Sequence, residues 1–206
     1  YKIVNGQIEN QAGLRSTIAL LEPGGEYFCT GTLIHPRVVL TAAHCLEDTQ
    51  ASGVEVGYQT LTGVNVPSSK RVSVNSIISH GSYSWDQASA HASGVGEFND
   101  IALLVLSGYV DQATTPILSS DVARDVLTDR TALTISGYGI NNLETEESGT
   151  LHSGQVPLMH LGQHEFLAGE QGNDGGRVGA WHVGMVRIQG GEWGQALYGG
   201  RRGDIL

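Results

Sequence analysis

In the stretch VVLTAAHCLED, Val38 to Asp48, a β-branched apolar run ends in two alanines and is followed at once by a histidine and a cysteine. An imidazole is the side chain that gains and loses a proton near neutral pH, and His44 directly follows a segment that reads as a buried strand. Its neighbour Cys45 has Cys29 as its single possible partner, sixteen positions earlier. A second group stands further along the chain, where Asp100 opens the apolar run Ile101 to Leu106. A carboxylate at the head of a buried strand needs hydrogen-bond donors or a cation to offset its lost hydration, and an imidazole N–H is such a donor. Brought together by the fold, the two side chains could share a proton. Taken singly, they read as a solvated turn histidine and a turn-forming aspartate.

The elements that must hold them are short strands. Glycine accounts for 29 of 206 residues and charged residues for only 16%, while 40% of the chain is hydrophobic. That balance suits many strands joined by tight turns, with enough apolar surface for a core. Strands are expected at Ser16 to Leu21, Tyr27 to Ile34, Arg37 to Thr41, Val54 to Tyr58, Arg71 to Ile78, Asp100 to Leu106, Thr131 to Gly139, Gly154 to Met159 and His182 to Ile188. The best helix signal is SSDVARDVL, Ser119 to Leu127, whose Ser and Asp can cap one or two turns. Between Asp111 and Asp129 the pattern loosens into a crossover, and the polar excursion from His80 to Asp100 is long enough to be functional.

The net charge of −10 argues against general affinity for nucleic acid or anionic lipid, which needs clustered Lys and Arg. No apolar run reaches bilayer-spanning length. The chain opens on Tyr1 without a signal-peptide pattern, and the expectation is that an upstream segment has been removed. The two cysteines lack the spacing of a zinc site. A disulfide is the favoured reading, with two buried free thiols as the alternative. If formed, the bond closes a loop worth roughly 3 kcal/mol and places the chain in an oxidising compartment.

The blocks FCTGTLIHPRVVLTAAHC (Phe28 to Cys45), ISHGSY (Ile78 to Tyr83), NDIALLVL (Asn99 to Leu106) and ISGYG (Ile135 to Gly139) occur in this order. In residues and order they resemble the trypsin-like, chymotrypsin-fold serine proteases. The resemblance implies an all-β protein of two six-stranded antiparallel β-barrels with the active site in the cleft between them, residues 1–115 forming the first barrel and 116–206 a shortened second one. It implies peptide-bond hydrolysis by an activated serine, with His44 as general base and then general acid and Asp100 holding its tautomer. No cofactor or metal is implied. The partners are protein or peptide substrates and protease inhibitors, and the expected protein is a secreted monomer.

The serine itself is missing from the place where the resemblance puts it. FLAGEQGNDGGRVGAW, Phe166 to Trp181, contains none, and Ser153 lies in the wrong context. One alignment sets Asp174 in place of the nucleophile, with Asn173 in place of the aspartate that receives the freed N-terminus. The preferred alignment matches LAG, Leu167 to Gly169, to the turn before the specificity pocket. Asp174 then becomes the acid at the pocket base, selecting Lys or Arg, and the nucleophile segment is absent after it. A plain Asp-Gly turn is the third reading. Only ten residues, 158–167, separate Pro157 from Ala168, so the chain runs short in this neighbourhood.

YKIVNG, Tyr1 to Gly6, resembles the family's activation junction, where cleavage after Lys2 frees Ile3 to insert into the second barrel. With Tyr1 and Lys2 attached, that insertion is not expected to have taken place. The expectation is therefore an uncleaved precursor that lacks pieces near Asp174. The rival is a pseudoprotease that kept His44 and Asp100, lost the serine and binds proteins without cutting them. The Arg-Gly-Asp within RRGDIL carries little weight, and His160, His164 and Glu165 make no recognisable metal motif. Trp193 to Leu206 matches the family poorly, including where a terminal helix would pack.

Overall fold

The stretch TIALL is buried at every position, and the reason lies in what covers its two faces. In a computed structural model, which describes residues 3, 6–8, 16–84, 99–117, 120–142, 144–161, 166–168, 182–188 and 193–198, it forms strand β2 (Thr17–Leu21). Ile18 and Leu20 point into one apolar cluster with Leu33, Val39, Val56, Leu104 and Leu106. Ala19 and Leu21 point the other way, into a cluster with Val66, Tyr138 and Leu151. Alternate side chains of a strand face opposite sides, so one strand serves the interior of a barrel and the contact with a second unit. Removing one such fully buried leucine side chain costs about 2–5 kcal/mol.

The other strands are β1 (Gln7–Ile8), β3 (Tyr27–His35), β4 (Val38–Thr41), β5 (Glu55–Gly57), β6 (Arg71–Ser79), β7 (Ala102–Leu106), β8 (Ala132–Gly137), β9 (His152–Leu161), β10 (Phe166–Ala168), β11 (His182–Ile188) and β12 (Trp193–Tyr198). The one α-helix among the described residues, α1 (Ser120–Val126), lies within the expected segment. None is long and apolar enough to cross a membrane. The chain is nearly all-β, as its composition predicts. Strand β7 starts two residues later than expected, because Ile101 N–H is taken by the carbonyl of Asn99 and Asp100 acts through its side chain. β1, β10 and β12 escape the hydrophobic pattern: β1 is two exposed residues, β10 is three residues long, and WGQALY interrupts its apolar residues with Gly and Gln.

Strands β2-β3-β4-β7-β6-β5 close into an antiparallel barrel. The second unit is a six-stranded sheet in the order β1-β9-β8-β11-β12, with β10 also paired to β9. β10 approaches β12, and β11 passes close to β3 and β4. Strand β1 belongs with this second sheet, Gln7 facing Ser153 and Ile8 facing His152. The expected division at residues 115 and 116 is thus crossed by the start of the chain.

Hydroxyls stitch the two units. Thr17 Oγ1 lies 2.7 Å from Ser136 Oγ, and Thr30 Oγ1 accepts from the Tyr138 backbone N–H at 3.1 Å. The Tyr138 hydroxyl donates to the carbonyl of Thr60 at 2.8 Å. Buried polar groups are tolerated when paired in this way, and each pair also fixes the orientation of one unit on the other.

Candidate active site

Thr41, the last residue of β4, pairs antiparallel with Ala102, the first of β7. The chain therefore reaches His44 just after Thr41 and leaves Asp100 just before Ala102, at the same end of the barrel. Two small buried residues, Ala42 and Ala43, let the backbone turn tightly over the barrel rim, and Ala43–Leu46 forms one 3-10 turn. On the other strand Asn99 adopts φ 53°, a left-handed conformation that asparagine tolerates better than most residues. That twist turns the next residue, Asp100, back toward the histidine.

Asp100 holds His44 at two points. Oδ2 lies 2.6 Å from His44 Nδ1, and Oδ1 accepts the His44 backbone N–H at 2.8 Å. The carboxyl side chain is 8% exposed and the imidazole 18%. A buried ionised carboxylate accepts hydrogen bonds and donates none, so Nδ1 carries the proton and Nε2 of the neutral ring is the basic nitrogen. The second contact stops the carboxylate from rotating and so fixes the plane in which the ring is held. This arrangement can take a proton at Nε2 and stabilise the imidazolium that results.

Cys29 and Cys45 are joined in a disulfide, with Cα atoms 6.2 Å apart. The bond ties the 3-10 turn to β3. It also places the Cys45 sulfur 3.7 Å from His44 Nε2. The donor atoms of Cys29, His44 and Cys45 lie within 4.8 Å of one another, but both sulfurs are bonded to each other and offer no thiolate to a metal. Tyr83 packs against the barrel core near the same turn, and its hydroxyl is buried without a hydrogen-bond partner among the described residues. Burial first, then the charges of Asp100 and Glu47, push this phenol well above the usual range, so it stays neutral beside the carboxylate.

Of the other residues singled out in the sequence, Ile3, Ser153 and His160 are described, whereas Lys2, Asn173, Asp174, His164, Glu165 and the Arg-Gly-Asp sequence lie outside the described residues, as does most of the excursion after His80. Ile3 is 4% exposed, and its backbone N–H donates to the carbonyl of Ile140 at 2.7 Å, so it is seated on the second unit. His160 lies in β9 opposite Leu167, a strand position that excludes the helical pairing with His164 that metal binding would need. Ser153 sits in β9 between Gln7 and Ser136, and no serine follows it in the sequence. The hydroxyl stitching escapes sequence reading, because isolated Ser and Thr in strands carry no periodic signal.

The family model described as Trypsin matches residues 3–172, ending two positions before Asp174. Among curated proteins the chain is similar to a trypsin of Saccharopolyspora erythraea, 30% identical over 156 residues that make up 76% of this chain and 63% of that protein. A trypsin of Simulium vittatum is 31% identical over 68% of this chain and 53% of its own length. Human kallikrein-4 is 30% identical over 59% of this chain and 43% of its own length. The chain therefore spans less than two thirds of each of these relatives.

Proposed function

We propose, from the premise that this chain belongs to the trypsin-like family of serine proteases, that it is the greater part of an endopeptidase precursor that hydrolyses peptide bonds in proteins. The observation that carries this reading is the double contact between His44 and Asp100. His44 Nε2 takes the proton of an attacking serine hydroxyl as its oxygen bonds to the substrate carbonyl carbon. Asp100 keeps the proton on Nδ1 and stabilises the imidazolium. The same proton then goes to the departing amine, and water repeats the sequence to release the acyl group. The serine belongs to a segment that follows Asp174 in the whole protein and that this sequence does not contain.

Cleavage between Lys2 and Ile3 is the activating event in this reading, and Asp174 at the pocket base selects substrates with Lys or Arg before the scissile bond. The disulfide supports an extracellular site of action. The protein acts as a monomer on polypeptides and is open to protease inhibitors. A test is labelling of the full-length protein with a serine-directed phosphonate after trypsin-type cleavage at Lys2. Covalent labelling is expected.

The absence of any serine after Ser153 favours a second reading, a pseudoprotease that binds polypeptides without cutting them. A correctly cleaved, full-length protein that takes no label and still binds a peptide ending in arginine supports that reading and refutes the first.

A further inference from the structure

Asp100 keeps the His44 proton on Nδ1 and leaves Nε2 as the electron-pair donor of the ring. The atom that Nε2 meets is sulfur, with Cys45 Sγ 3.7 Å away. Cys29 belongs to the same cluster: one ligand atom from each of Cys29, His44 and Cys45 lies within 4.8 Å of the other two. A tetrahedral zinc ion, with Zn–S bonds of about 2.3 Å and Zn–N bonds of about 2.0–2.1 Å, sets a sulfur and a nitrogen ligand about 3.6 Å apart and two sulfurs about 3.8 Å apart. The first spacing is already present between His44 and Cys45. The second requires that the two sulfurs no longer be bonded to each other, and with Cα atoms 6.2 Å apart a rotation about either Cα–Cβ bond supplies it. The carboxylate behind the imidazole is also the partner that suits a zinc-bound histidine, since it fixes the tautomer and raises the basicity of the liganding nitrogen.

We propose that reduction of the Cys29–Cys45 disulfide turns this cluster into a zinc-binding site, with two thiolates and His44 Nε2 as ligands and water in the fourth position. The chain has two cysteines, so a reductant acts on this bond alone. Cys29 is 4% exposed whereas Cys45 is half-buried, so a dithiol reductant attacks the Cys45 sulfur. The S–S bond breaks and its electron pair goes to Cys29. The second thiolate of the reductant then displaces Cys45 and leaves as a cyclic disulfide, so that two electrons pass to the protein and the two protons of the dithiol end on the cysteines. Metal binding displaces those protons to solvent. Thiolate ligands favour zinc over magnesium and calcium, which prefer oxygen. Zinc on Nε2 occupies the atom that takes the serine proton, so the reduced, metal-loaded form is silent. That consequence rests on the protease reading, and the metal site does not.

The test uses the full chain, reduced with a dithiol, freed of it without oxygen and titrated with Co2+ as a spectroscopic substitute for zinc. The site predicts a thiolate-to-cobalt charge-transfer band with tetrahedral d–d bands, saturating at equimolar Co2+ and reversed by Zn2+, and no such bands in the oxidised chain. Asp100→Asn keeps all three ligands and alters only their support, so it should weaken Co2+ binding about 10- to 100-fold, and His44→Ala should weaken it further. A reduced, folded chain without the charge-transfer band, or a His44→Ala variant that binds within about threefold of the unaltered chain, overturns the proposal. So does a reduced chain that circular dichroism finds unfolded both with and without Co2+. Should His44→Ala not fold, the nitrogen-15 signal of His44 Nε2 in the reduced, unaltered chain decides. A shift on adding Zn2+ supports the site, and an unmoved signal refutes it. In the full-length, Lys2-cleaved protein, Zn2+ should stop turnover of the reduced form and spare the oxidised one, and turnover by the metal-loaded form overturns the switch. A protein that binds the metal but never turns over leaves the site standing and refutes the protease reading instead.

Discussion

The hydroxyls of Thr17 and Ser136 meet at 2.7 Å across the contact between the barrel and the second sheet, both buried. Deleting one leaves the other without its partner, at a cost of about 1–3 kcal/mol. We therefore expect Thr17→Val and Ser136→Ala each to lower the unfolding free energy by that amount in urea titrations. The double variant should cost less than the sum of the two, because no orphaned hydroxyl remains.

Tyr138 should be more sensitive than an average buried tyrosine. It is 1% exposed, and its hydroxyl satisfies the Thr60 carbonyl at 2.8 Å. Tyr138→Phe removes that donor with almost no change in volume, so a loss of about 1–3 kcal/mol in the same measurement reports the hydrogen bond alone.

Stability at alkaline pH follows from the same cluster. Burial pushes the Tyr27 phenol up to about 12 from an ordinary 10, and burial together with the charge of Tyr27 raises Tyr138 in the same direction. Above pH 10 the unfolded chain loses these protons first and so binds fewer than the folded chain, which makes stability fall as pH rises. The contribution is fully present below pH 10 and is lost between 10 and about 12. Unfolding midpoints measured across that window should decline, and Tyr27→Phe should make the decline shallower.

What the sequence revealed and what it hid divide along physical lines. Long apolar runs bounded by turn residues mark β2, β3, β6 and β7, since strand burial depends on local pattern. His44 and Asp100 are recognisable because each abuts such a run, so their address follows from strand register. The resemblance of YKIVNG names Ile3 as a residue that meets the second unit, but the lining of its seat is illegible: it is made by glycines on β8 and β9 that are remote in sequence and that matter only through the space they leave. The same holds for β1, two exposed residues that pair with a strand some 145 positions away, Gln7 with Ser153. No local pattern records such a contact.

The reading as a protease also predicts that more chain exists. A protein isolated from its natural source should have an intact mass above the 21.8 kDa of this sequence, with the added residues including a serine in the region of Asp174. A mass of 21.8 kDa would leave no nucleophile and favour the pseudoprotease.

The most direct test of the His44–Asp100 account is the turnover of the full-length, Lys2-cleaved protein and of its Asp100→Asn variant on a peptide with arginine before the scissile bond. An amide can fill the same space but donates where the carboxylate only accepts, so the tautomer of His44 is no longer enforced. The account predicts a fall in kcat of about 10⁴-fold, the general magnitude for this arrangement, in a variant that remains folded. A variant that turns over within a few-fold of the unaltered enzyme would contradict it.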